Sequence, residues 1–129
     1  MTVIDASALA GWLLPDEDAP DLGPVLGGAG ECVAPWLLWV ELRNILLVAE
    51  RRGRIDTGEA DALLGLVDRI GIGLDTGAAG PAVMALARRH GLSAYDALYL
   101  ELAMRQGGPL ATLDGALSRA AAAEGVAVL

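Results

Sequence analysis

The chain contains no lysine; all nine of its cationic side chains are arginine. That absence removes several enzyme classes. A P-loop places a lysine on its phosphates, and Schiff-base chemistry runs through a lysine amine. Phosphotransfer folds with an aspartyl nucleophile usually carry a lysine too, which counts against that reading. Histidine is nearly absent as well: a Ser-His-Asp relay would have to run through His90 alone. The single cysteine, Cys32, cannot form an internal disulfide, which fits a reducing cytoplasm. Phenylalanine is missing, and Trp12, Trp36, Trp39, Tyr95 and Tyr99 are the only aromatics. No apolar run approaches the ~18 residues of a membrane-spanning helix; the longest, Pro35 to Val40, is broken at Glu41. The opening MTVIDASALAGWLLPDED has no basic leader, so no secretory signal is expected.

What is present describes one domain spanning residues 1–129. A chain of 129 residues is long enough to bury a core, and 54% hydrophobic against 20% charged residues is a globular balance. The net charge of −8 argues against a nucleic-acid partner, since such proteins are usually basic. It is also what a cluster of carboxylates awaiting cations adds to.

Short apolar runs alternate with longer helical stretches, the pattern of a mainly parallel sheet with crossover helices, hence an α/β fold. Strands are expected at Thr2–Ile4, Glu31–Ala34, Ile72–Leu74, Leu110–Thr112 and Val126–Val128. Helices are expected at Ser7–Leu14, weakly at Asp21–Gly28, from Pro35 to Gly53, from Asp56 to Ile70, at Gly80–His90, from Ser93 to Arg105 and at Gly115–Ala123. Pro35 suits a first helical turn, Asp56 and Glu59 have the spacing of a capping box, and Gly91 suits a helix end.

Of seventeen acids, Asp16, Glu17, Asp18, Glu59, Asp61, Asp68 and Glu124 sit in ordinary polar or helical contexts. Four do not. Asp5 follows the apolar strand Val3–Ile4, and Asp114 follows Leu110 to Leu113; each stands where a strand gives way to a helix. In open parallel sheets ligands bind outside the carboxyl ends of strands, although Asp is also a favoured helix cap. Glu41 interrupts a helix that is apolar on most faces, where a carboxylate is costly unless paired or bound to metal. The plain alternative is an ion pair to an arginine such as Arg43 of a neighbouring chain. Asp96 lies three residues after Ser93, so it could simply bond back to the start of its helix. Carboxylates that converge need a cation, and an all-oxygen set without a His or Cys cluster suits Mg2+ or Mn2+ rather than zinc. Such ions activate water and clamp phosphate oxygens, which points to phosphodiester hydrolysis. Ser7 and Thr112, hydroxyls beside Asp5 and Asp114, either orient a carboxylate or a metal-bound water or serve as local caps. Asn44, one turn beyond Glu41, lies on the same side of its helix.

The segments VIDASAL, VELRNIL, LSAYDALYLELA and TLDGAL resemble PIN-domain proteins, and more narrowly the VapC-type toxins of toxin–antitoxin pairs. They come in the family's order and span nearly the whole chain. The resemblance implies a three-layer α/β/α sandwich. Its site would be Asp5, Glu41, Asp96 and Asp114, with Ser7, Asn44 and Thr112 in support. Asp5, Glu41 and Asp96 would hold the main Mg2+ or Mn2+, and Asp114 a second ion or the water. It implies an endoribonuclease acting on a structured RNA such as a tRNA or rRNA, held in check by a VapB-type antitoxin, and commonly a homodimer. The alternative is a PIN-like module that binds RNA or protein without cutting it.

Other residues read less sharply. Arg51, Arg52 and Arg54 either complement a helix end or contact phosphates, and Arg88 and Arg89 share that ambiguity. His90 is expected as a surface or capping residue. Tyr95, Leu98 and Tyr99 are expected in the core, and Trp36, Trp39, Leu46 and Leu47 at a dimer or antitoxin surface.

Overall fold

The computed structural model of the chain describes residues 1–17, 19, 21–27 and 31–129. In chain order it runs β1 (Thr2–Ile4), α1 (Ala6–Leu13), α2 (Gly23–Leu26), β2 (Cys32–Pro35), α3 (Leu37–Arg51), α4 (Thr57–Ile70), β3 (Gly73–Asp75), α5 (Gly80–His90), α6 (Ala94–Gln106), β4 (Leu110–Ala111) and α7 (Gly115–Ala123). The strands form one sheet in the order β3-β2-β1-β4, and every pairing is parallel. Val3 pairs with Val33 on one side and Leu110 on the other, so β1 is central. Val3, Ile4, Ala34, Leu110 and Ala111 are buried. A parallel sheet is covered on both faces because its crossovers are helices. Here α1, α3 and α4 pack together as one group and α5, α6 and α7 as another, with α6 lying on β1, β2 and β4. The result is the expected α/β/α sandwich.

The strand order matters for function. The chain moves outward from β1 to β2 to β3, then returns to the far side of β1 as β4. The direction of winding reverses between β1 and β4, and a crevice opens outside their carboxyl ends. Asp5 follows β1 and Asp114 follows β4 closely, so the topology alone brings two acids from opposite ends of the sequence to one place.

Local chemistry sets the helix limits. Asp56 accepts from the Glu59 backbone at 2.7 Å while the Glu59 side chain takes the Asp56 N–H, the expected capping box. Gly91 ends α5 at φ 65°, a left-handed turn that suits glycine. Several boundaries differ from expectation. Pro35 belongs to β2 rather than to the first turn of the helix, at a strand end where its missing N–H breaks no ladder. The third strand lies one residue later, at Gly73–Asp75, which places Asp75 at its end. The expected last strand, Val126–Val128, reduces to a single bridge between Val128 and Leu110, because the two-residue β4 offers no ladder to extend. The weak helix expected at Asp21–Gly28 shortens to Gly23–Leu26; residue 28 lies outside the described residues, as does Asp18 of the acidic loop.

Candidate active site

Asp5 is both a helix cap and part of a wider network. As N-cap of α1, its Oδ1 accepts from the Ala8 N–H at 2.8 Å and from the Ser7 hydroxyl at 2.7 Å. The Thr112 hydroxyl donates to its Oδ2. Each hydroxyl also accepts a backbone N–H from the β4–α7 connection: Ser7 from Leu113 at 3.0 Å, and Thr112 from Asp114 at 3.0 Å. Ser7 and Thr112 therefore lock the ends of β1 and β4 together through Asp5. A carboxylate has about four lone-pair positions. The three donors on Asp5 fill Oδ1 and leave Oδ2 able to accept once more.

Asp114 caps α7, its Oδ1 accepting from Leu117 N–H at 2.8 Å. Asp96 sits in the first turn of α6, where its N–H donates to the Ser93 hydroxyl at 3.1 Å. Only this half of the capping arrangement forms. The Asp96 carboxylate does not return to the helix start, and among the described residues it makes no hydrogen bond. Glu41, in the second turn of α3, accepts the Tyr99 hydroxyl on Oε1 at 2.6 Å. Arg43 stacks over Trp39, 3.7 Å from the ring centroid, and donates to the Trp39 carbonyl at 3.0 Å; within this chain it does not pair with Glu41.

The electrostatics join these acids. Burial pushes the Asp5 carboxyl above its ordinary value, against the lowering effect of its three donors, and Asp114 adds repulsion. Burial likewise raises Glu41, the Tyr99 hydrogen bond opposes the rise, and Asp96 and Asp5 add to it. Asp96 is raised by burial first, then by Asp114 and Asp5. The Tyr99 hydroxyl is pushed far up, by burial and then by Glu41, and stays a donor. Asp5, Asp96 and Asp114 thus each repel at least one other of these acids, and Glu41 feels both Asp96 and Asp5. Among the described residues no three acidic, histidine or cysteine side chains already close into a metal nest, so sharing an ion requires the side chains to move. The donor set itself suits a hard cation: oxygen only, net negative and mutually repelling, with free positions on Asp5, Asp96, Glu41 and Asp114.

Other expected residues fall differently. Asn44 is exposed, outside the hydrogen-bond network. Tyr95 is not core but 62% exposed, next to Asp96. Leu46 is core rather than surface, while Trp36 and Trp39 are each 53% exposed. Arg54 pairs with Asp16 and Glu17, whereas Arg51 and Arg52 are exposed. His90 and Arg89 both meet Glu124, at 2.7 and 2.5 Å, so that acid is a tether rather than a plain surface charge. Sequence reasoning missed the hydroxyl of Tyr99. Its signal was the three-residue spacing from Asp96, which puts both on one face of α6.

The PIN domain family matches residues 2–123 of the chain. Ribonuclease VapC3 of Pyrobaculum aerophilum is 33% identical over 119 residues, covering 90% of this chain and 91% of that protein. This chain belongs to the PIN-domain family, in its VapC type. The crystal structure of PAE2754 from Pyrobaculum aerophilum has the same fold, with a TM-score of 0.78 and 24% identity over 98% of this chain and 89% of that one. The PIN fold puts Asp5 and Asp114 at the point where its sheet reverses direction, as described above.

Proposed function

We propose that this PIN domain is a Mg2+- or Mn2+-dependent endoribonuclease toxin with Asp5, Glu41, Asp96 and Asp114 as its metal-holding acids. The observation that supports the reading is that Asp5 and Asp114 follow the neighbouring strands β1 and β4 at the switch point, while Asp5, Glu41 and Asp96 are each raised by burial and by a nearby acid. The relative named as a ribonuclease supports it. When bound, the cation supplies an activated water and charge neutralisation at a phosphodiester. The chain's part is to hold the donors in place: Ser7 and Thr112 fix Asp5, the α7 backbone fixes one oxygen of Asp114, and α6 presents Asp96 with both oxygens free. Ser7 and Thr112 thereby act in support, and Asn44 is an exposed neighbour of Glu41 able to meet substrate.

The proposed substrate is a structured cellular RNA, a tRNA or rRNA, cut in the cytoplasm by a single domain spanning residues 1–129. No helix among the described residues is long and apolar enough to cross a membrane. The proposed partners are a VapB-type antitoxin and a second copy of the chain. The exposed Trp39, Val40 and Leu47 of α3, with Trp36 at its N-cap, provide an apolar face for self-association.

The deciding experiment is cleavage of total cellular RNA by purified protein freed of antitoxin, with Mn2+, with Mg2+, with chelator, and with Asp96→Asn. Discrete fragments that require both metal and Asp96 are expected. Folded, metal-loaded protein that leaves every RNA intact would instead favour the non-cutting binding module.

A further inference from the structure

We propose that Tyr99 is a positioning residue. Its hydroxyl, donated to Oε1 of Glu41, holds that carboxylate toward the acidic site with Oε2 free for a divalent cation. The inference rests on the assignment of Glu41 to that site. Three observations carry it. Tyr99 is 1% exposed, and its hydroxyl reaches a carboxylate 58 residues earlier in the chain. Glu41 makes no other hydrogen bond among the described residues, so nothing else there fixes a side chain with several freely rotating bonds. Asp96 and Tyr99 are three residues apart on α6, which therefore supplies one acid of the site and orients another.

A half-buried glutamate without a donor would sample several rotamers and lose them when it binds an ion, an entropy cost. The phenol removes that cost in advance. Only the Tyr99 O–H can do this, and phenylalanine keeps the ring's packing while deleting the donor. Partners that orient a metal ligand typically change metal affinity or activity by about 10–100-fold when removed.

The test uses the full chain and Mn2+ alone. Binding is read from the loss of the free-Mn2+ spin-resonance signal, and stability from melting in chelator. In Tyr99→Phe the Mn2+ concentration for half-saturation should rise about tenfold, and cleavage at saturating Mn2+ should largely recover. In Glu41→Ala, which removes both the ligand and the acceptor of the Tyr99 hydroxyl, Mn2+ binding should weaken sharply, and adding Tyr99→Phe to that variant should weaken it no further, because the phenol acts through Glu41. A Tyr99→Phe protein with wild-type half-saturation, whatever its melting temperature, would reduce Tyr99 to a packing residue and overturn the proposal. So would a further loss in the double variant. If Glu41→Ala itself binds Mn2+ like the parent, it is the site assignment that fails, a result distinct from failure of Tyr99 alone.

Discussion

Asp5 shows how one residue serves two ends. The contacts that cap α1 also prepare a ligand, because Ser7, Ala8 and Thr112 fix both carboxylate oxygens before any substrate arrives. Desolvation still outweighs them and, with neighbouring charge, raises Asp5, Glu41 and Asp96 above ordinary carboxylate values. For a carboxyl whose folded pKa exceeds its unfolded one, the native state holds the proton more tightly. Its contribution to stability is full below the unfolded value and is lost as pH rises through the folded value. In chelator, the melting temperature should therefore fall as pH rises from the ordinary carboxylate range toward neutrality. Asp75 and Glu124 are lowered by their cationic partners, and their contributions are lost only as pH falls through values below the ordinary range. A melting series from about pH 4.5 to 7, run on the parent and on Asp96→Asn, checks this. A flatter slope in the variant is expected, and equal slopes would contradict the assignment.

Among the elements, α6 does most to build the site. Its first turn presents Asp96, its second turn the Tyr99 hydroxyl, and its last turns a clamp on the sheet. Arg105 bridges the buried Glu101 and Asp75 at the end of β3, with its Nε 2.9 Å from Glu101 Oε1 and an Nη 2.6 Å from Asp75 Oδ2. Removing the guanidinium strands a buried carboxylate. Arg105→Met should cost about 1–3 kcal/mol in chemical denaturation, since Arg105 is partly exposed, and Glu101→Gln in the same chain should restore part of the loss. An additive double variant would mean that the clamp is not a coupled unit. Asp75 lies 30 residues from Arg105 and reaches it only through the packing of α6 against the sheet, which is why the clamp was not legible beforehand.

At the scale of the molecule, a net charge of −8 weakens any electrostatic pull on RNA, and the apolar face of α3 remains exposed. Trp36, Val40 and Leu47 follow the spacing of one helix face, with Trp39 beside them. Under the proposed self-association this is the face on which two copies would meet. Trp39→Glu should leave a folded chain that elutes as a smaller species than the parent on size exclusion with light scattering. An unchanged mass would place self-association elsewhere or nowhere.

Composition and periodicity determined much by themselves. The alternation of strand and helix, the capping box at Asp56, the glycine stop at Gly91 and the four acids at odds with their surroundings could all be read along the chain, because each depends on neighbours within about one or two turns. Tertiary structure decided the rest. Asp5 and Asp114 come within electrostatic reach because β4 returns beside β1, and Thr112 finds Asp5 only across that pairing. Glu41 gains its donor from Tyr99, 58 residues away. Tyr95 and Tyr99, four residues apart on one helix, separate into exposed and buried. Leu46 turns inward while Leu47 turns out. Such choices depend on which elements pack against which, and local sequence carries no record of the partner.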